Sequence, residues 1–302
     1  MSSQLDAASI ARLSLHDPTH FSIQHSQTLH RLVLLQHWNI PTGSKVLELG
    51  CGQGDCTTVL ACAVGEQGRV VAVDPAELDY GAPYTLGQAQ GHISQGPLGR
   101  RITWVQQSPL DYLSSLSSLP SPSSTSSPPA SGSKAFDVTV LAHCLWYFPS
   151  PSLILSTFRA LKQHSKRLLL AEWSLVATHP SAQPHVLATL TQAALECRKP
   201  KSVSNVRTVL GPKRLTELAL AAGWQLENET RVQGGEGLLD GQWEVSACLS
   251  SSFEREVEEQ VSDERERGVV LALRDACEAS LEGVQGGLKG VRGMDVWAAS
   301  FV

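Results

Sequence analysis

The chain has 302 residues, of which 42% are apolar and 18% charged, with a net charge of −5 at pH 7 and a pI near 6.1. That length suits one large domain, or one domain with a substantial accessory part. The acidic balance excludes the electrostatic footprint of a nucleic-acid binder, no apolar run approaches a membrane span, and seven cysteines without a C-x-x-C pair argue against a disulfide scaffold or a structural zinc.

The first twenty residues hold no signal-peptide core, and the terminal Ser-Phe-Val is no familiar targeting signal, so a cytoplasmic protein is expected. Residues 1–44 read as a helical cap, with an amphipathic helix over roughly Ile23 to Trp38. Leu29, Leu32, Val33 and Leu35 form its broad apolar face. Five of the ten histidines fall here: His16, His20, His25, His30 and His37. His16 and His20 are four apart, as metal ligands can be, but no acid or cysteine accompanies them at useful spacing, so no metal is expected.

From Lys45 the pattern alternates between short apolar runs and helical segments. "KVLEL" reads as a buried strand, "CTTVLACAV" as a helix closed by Gly65, and "RVVAVD" as the next strand. A helix follows over Thr85 to Ile93, then the strand "RITWVQ". Residues 113–134 are Ser/Pro-rich, cannot bury enough apolar surface to offset their ordering entropy, and are expected to form a disordered loop inside the domain. Beyond it come the strand "FDVTVLA", a helix from Pro151 to Lys162 and the strand "RLLLAEW". A helix from Pro212 to Ala222 precedes the strand "WQLENETRV".

Residues 243–288 read as a helical insertion or lid. Within it Phe253, Val257 and Val261 recur every fourth residue in a charge-dense run, the pattern of a solvated helix with one buried stripe. "GMDVWAASFV" closes the chain as a last strand. Short apolar strands alternating with helices predict an α/β fold, a doubly wound, mostly parallel sheet spanning residues 45–302.

The turn after the first strand spaces Gly50, Gly52 and Gly54 as G-x-G-x-G. A dinucleotide fingerprint needs its third glycine one place later, where Asp55 stands. Glycines here let the backbone approach a ligand, and the helix starting near Asp55 favours an anionic group at its N-terminus. Asp74 ends the second strand, and its two acceptor oxygens suit the vicinal hydroxyls of a ribose. These residues indicate a nucleoside without naming the cofactor.

"VLELGCGQG" followed by "VVAVDPA" resembles the first motif and second-strand acid of the class I S-adenosylmethionine-dependent methyltransferases. "FDVTVLAHCLWYF", "TFRALK" and "RLLLAEW" are similar to their fourth strand, next helix and fifth strand, and "LTELALAAGWQL" to the passage into the sixth. The likeness extends from about Lys45 to Val232, resumes at the final strand, and is nearest to fungal small-molecule enzymes. It implies a Rossmann-like sheet of seven strands, mostly parallel with the last antiparallel. It also implies S-adenosyl-L-methionine as cofactor and a small organic acceptor methylated on O, N or C.

On this resemblance Gly50, Cys51, Gly52 and Gly54 would line the methionine part of the cofactor, and Glu48 would brace the loop or reach the amino group. Asp74 would hold the ribose, with Pro75 and Ala76 bordering the adenine. Where the family often has an adenine-binding Asp, this chain has Gln107-Ser108-Pro109. Ser108 and Pro109 therefore stand in, with Asp111 an alternative acceptor, and Ala142 borders the site after the fourth strand.

Strand ends in an open α/β sheet bind ligands. His143 is the expected general base, set against the plainer reading that it only shapes the pocket. Trp146, Tyr147, Glu172, Trp173 and His25 are the expected substrate contacts. No acid follows "VTVLA" to suggest a magnesium site. The expected partner is a small molecule, with no nucleic acid and no membrane, and a homodimer stays open. The alternative function is a methyltransferase-fold protein that binds the cofactor as a partner subunit without transferring methyl.

Overall fold

Strand residues of this chain alternate between two buried faces, and that alternation organises the molecule. A computed structural model describes residues 6–118, 134–199, 201–202 and 204–302. The cap comprises α1 (Ala7–Ala11) and α2 (Phe21–Trp38). There follow β1 (Lys45–Leu49), α3 (Asp55–Ala63), β2 (Arg69–Asp74), α4 (Leu86–Gln95), β3 (Ile102–Gln106), α5 (Pro109–Ser118) and β4 (Phe136–Ala142). Next come α6 (Pro151–His164), β5 (Ser165–Trp173), α7 (Gln183–Glu196), α8 (Pro212–Ala221) and β6 (Leu226–Val232). The chain ends with α9 (Asp240–Cys248), α10 (Ser251–Gln260), α11 (Glu264–Glu282) and β7 (Val296–Phe301).

The strands form one seven-stranded sheet in the order β3-β2-β1-β4-β5-β7-β6. β7 runs antiparallel to both β5 and β6, and the other pairings are parallel. The chain reverses its direction of winding between β1 and β4, which opens a crevice at their carboxyl ends. On one face Val46, Val70, Ala72, Val138 and Val140 pack against Leu34 and Trp38 of the cap and Leu60 of α3. On the other, Leu47, Leu49, Val73 and Leu141 pack with Phe158, Leu215 and Trp224. Both faces are covered, as parallel sheets require.

Two local expectations change. Leu29, placed on the apolar face of α2, is 47% exposed, and the buried positions are Gln27, Thr28, His30, Leu32, Leu34 and Trp38. The cap docks through a face that includes polar side chains because these find partners there: Gln27 donates to Asp240 and His30 shares a hydrogen bond with His143. The Ser/Pro-rich segment begins later than Leu113: α5 carries residues up to Ser118, since Leu113 is fully buried and Leu116 packs beside it. Positions 119–133 of that expected loop lie outside the described residues.

The C-terminal helices dock on α7, with Cys248, Cys277 and Ala188 in one cluster and Phe253, Val257, Val261 and Val270 in another. The expected buried stripe of the charged run is therefore the seam of α10.

Candidate active site

The three glycines after β1 serve different ends. Gly50 has φ +73, and a Cβ there would come within 2.5 Å of the Cys144 Cβ. Gly52, at φ +51, has nothing within 4 Å of such an atom and opens onto the crevice. Gly54 (φ +99) caps α3 under the Trp104 and Ile93 side chains, which a Cβ there would meet at 2.7 and 2.9 Å. Each φ lies in the left-handed region that L side chains avoid.

A cavity of about 430 Å³ lies over this loop. Gly50, Gly52, Asp74, Pro75, Ala76, Ser108, Pro109 and Tyr147 line it, and so does Cys144. One Asp74 oxygen accepts from the Gly52 N–H at 2.8 Å, the other from the Ala76 N–H at 2.9 Å. The carboxylate is thus locked in orientation with lone pairs left over. Ser108 donates to Asp111 at 2.6 Å, so the two adenine candidates are bonded to each other.

Other expected residues sit behind or beside the cavity. Cys51 is buried and Ala142 half-buried, both on the cap-facing core. Glu48 is 1% exposed and accepts from the Thr57 hydroxyl at 2.5 Å, tying β1 to α3. Burial raises its carboxyl from the usual 4.5 to about 7, against the lowering effects of Thr57, Cys56 and the Arg31 guanidinium. The bracing role fits this geometry better than contact with the amino group.

The substrate candidates divide sharply. Trp146 is buried, its indole donating to the Leu210 carbonyl at 3.0 Å while its own carbonyl receives the Arg207 and Thr208 N–H groups. It anchors the segment between α7 and α8. His25 lies against Phe21 and is not among the residues lining the cavity. Tyr147 is half-exposed and lines the cavity. Burial, then the carboxylates of Glu172, Glu244 and Asp240, push its phenol up and keep it neutral.

His143, Glu172 and Trp173 come together. β4 runs on until the His143 N–H donates to the Ala171 carbonyl at 2.8 Å. The chain then leaves the sheet at a φ of +54, uncommon for a residue with a side chain. Glu172 is 1% exposed and accepts from the Leu145 and Trp173 N–H groups at 2.9 and 3.0 Å. The His143 Nδ1 is 3.7 Å from Glu172 Oε1, and its ring centroid 4.7 Å from that of Trp173.

As site residues, His30, Arg31 and Tyr80 escaped sequence reasoning. His30 of α2 shares a 2.8 Å hydrogen bond, Nε2 to Nε2, with His143. The signal available was its spacing: four residues before Leu34 and eight before Trp38, it lies on their buried face. His185 packs edge-on against Trp173 and accepts from the Met294 N–H at 3.0 Å; burial lowers it to about 4. Arg31 bonds to Gln27, leaves its Nε unpartnered among the described residues, and acts electrostatically on Glu48. Tyr80 donates to Asn205 at 2.8 Å across two cavity-lining loops. Among the described residues, no group of three or more His, Cys, Asp or Glu could hold a metal ion.

The family model for protein-L-isoaspartate(D-aspartate) O-methyltransferase matches residues 16–82, which contain the glycine loop and Asp74. Methyltransferase phomM' of Diaporthe leptostromiformis is 30% identical over 288 residues, covering 86% of this chain and 73% of that protein. The crystal structure of a cyclopropane-fatty-acyl-phospholipid synthase-like protein from Lactobacillus casei is also 30% identical. It superposes with a TM-score of 0.80 over 98% of each chain. The cyclopropane synthase MmaA2 of Mycobacterium tuberculosis, at 14% identity and a TM-score of 0.51 over 99% of this chain and 94% of its own, shares the fold alone.

The chain belongs to the class I S-adenosylmethionine-dependent methyltransferases. It is an enzyme whose cofactor is S-adenosyl-L-methionine. The residues present fit that group: a Cβ at Gly52 would fill the space over the loop, and the crevice holds an acid fixed in orientation at the end of β2.

Proposed function

We propose that the protein transfers the methyl group of S-adenosylmethionine to O, N or C of a small organic molecule, without a metal. The observation that carries this reading is the 430 Å³ cavity, which extends from Asp74 and Ser108 to Tyr147 and is walled by side chains from the loop after β2 and by Asn205 and Arg207. Such a volume suits a cofactor and small acceptor, whereas a macromolecular substrate would need an open face. The name methyltransferase on the fungal relative agrees with it.

The cofactor supplies an electrophilic methyl group on a sulfonium. In this reading Asp74 holds the ribose hydroxyls, the Gly50–Gly52 backbone receives the methionine part, and Pro75, Ala76, Ser108 and Pro109 flank the adenine. The Arg31 guanidinium gives positive charge beside the loop, where the cofactor's carboxylate would lie. Tyr147 presents an aromatic face toward the donor's cationic end, and His143 takes a proton from the acceptor. His25 would belong to the cap around the mouth.

No described helix is long and apolar enough to cross a membrane. A cytosolic setting is supported by seven cysteines that are all free. The test is mass spectrometry of metabolite panels incubated with enzyme and cofactor. A gain of one CH₂ on a compound of low molecular mass is expected; methyl transfer found only on protein or nucleic acid would overturn the reading.

A further inference from the structure

We propose that Arg207 selects the methyl acceptor, and that the acceptor carries a carboxylate which this guanidinium binds. This rests on the small-molecule reading above and narrows it to anionic acceptors.

Among the described residues, Arg207 is the one lysine or arginine that lines the cavity over the glycine loop. Arg167, Arg198, Arg214 and Arg292 each meet a carboxylate elsewhere in the molecule. The Arg207 side chain has no hydrogen bond or ion pair among the described residues, and its Nε is shut off from solvent without a partner. Leaving a buried donor unpaired is costly, so such a group calls for a partner from outside the chain. The backbone that carries it is held in place. The Arg207 and Thr208 N–H groups both donate to the Trp146 carbonyl at 2.9 Å, and Val206 and Thr208 on either side are buried. Asn205, two residues earlier, accepts from the Tyr80 hydroxyl at 2.8 Å, which ties this segment to the loop after β2. The unpaired cation therefore stands on a tethered wall of the cavity.

The groups already present do not supply its counter-ion. Asp74, the other charged residue lining the cavity, is held by the Gly52 and Ala76 N–H groups and makes no ion pair with Arg207. The cofactor brings one anion, its methionine carboxylate, and that end belongs to the glycine loop and Arg31 on the reading above. Arg207 also borders a second hollow of about 490 Å³ beside α7, where Lys199 is paired with Glu196 and Glu256. The acceptor is left to provide the negative charge. One guanidinium balances one such charge, and its planar fork matches the two oxygens of a carboxylate. A phosphate monoester, at about −1.5 to −2 near pH 7, would leave excess charge in a cavity that already holds Asp74. The contact is made before and during methyl transfer alike, so it acts on acceptor binding and not on the chemical step.

Arg207→Gln and Arg207→Met test this, Met keeping an unbranched stem without the charge. The probes, with labelled S-adenosylmethionine, are aliphatic and aromatic amino acids and hydroxy acids, each beside its primary carboxamide, with phosphate monoesters as a third arm. Wild type should turn over acids with kcat/KM at least about tenfold above their amides, the difference lying in KM. In both variants that ratio should fall to near unity, while calorimetric affinity for S-adenosylhomocysteine stays within about twofold. Equal use of acids and amides by wild type, a preference that survives in both variants, or transfer to phosphate esters alone would each overturn the proposal. So would an affinity for S-adenosylhomocysteine that drops about tenfold, because Arg207 would then hold the cofactor's own carboxylate. Wild type that methylates nothing in the panel would count against the small-molecule reading. Calorimetry of the acids against the amides on the S-adenosylhomocysteine complex then decides whether Arg207 binds a carboxylate.

Discussion

Asp74 and Glu48 are both carboxylates near the glycine loop, yet their surroundings assign them opposite work. Asp74 faces the cavity with lone pairs to spare, so Asp74→Ala should weaken S-adenosylhomocysteine binding by at least tenfold. Hydrogen bonds to a charged group contribute about 1.5–3 kcal/mol. Calorimetry on wild type and variant measures it, and equal affinities would remove Asp74 from the site. Glu48 is sealed behind the loop with its carboxyl raised to about 7. The folded protein then holds a proton that the unfolded chain releases at about 4.5, so stability falls as pH rises between those values and levels off above. Glu48→Gln should flatten that decline, worth on the order of 3 kcal/mol, in urea melts taken from pH 5 to 8. At Gly50 the constraint is steric: Gly50→Ala places a methyl 2.5 Å from the Cys144 Cβ at a φ of +73. A loss of about 1–3 kcal/mol should appear together with loss of cofactor binding.

At the scale of elements, α2 joins the cap to the catalytic core. Leu34 and Trp38 are essentially buried in the sheet-facing cluster, and Arg167 reaches the Trp38 carbonyl at 3.2 Å. Leu34→Ala should cost about 2–5 kcal/mol by urea denaturation and lower activity as well, since the same helix carries His30. If stability changes without any effect on cofactor or acceptor kinetics, the cap only covers the fold. Helix periodicity located α2 to within two residues but mis-set its buried face: Leu29 is exposed and His30 inside. A hydrophobicity pattern ranks polar side chains as outward, and a helix closing a polar site violates that ranking. The start of the Ser/Pro-rich segment was misplaced for the converse reason. Its weak local preference over Leu113–Ser118 is overridden by Leu113 and Leu116 finding the core.

For the whole molecule, seven free thiols report on the packing. Cys51, Cys56, Cys144, Cys248 and Cys277 are buried, Cys62 is half-buried, and Cys197 is exposed. Burial raises the Cys51, Cys56, Cys62 and Cys144 thiols, which further slows them as nucleophiles. Ellman's reagent should therefore label one cysteine quickly in the native protein and all seven in guanidine. Rapid native labelling of three or more would contradict this arrangement.

The sequence by itself determined the alternating α/β order, the glycine loop and Asp74. Each is a local statement: a period of two or 3.6, a turn that needs positive φ, an acid at a strand end. It also brought forward His143 and Glu172, because strand ends in such a sheet gather at one crevice. Only the tertiary structure decided that Trp146 is buried, that Glu48 accepts from Thr57 behind the loop, and that His30 meets His143. Those two histidines are 113 positions apart in the chain. Their contact arises from the docking of the cap on the sheet, which no local pattern encodes.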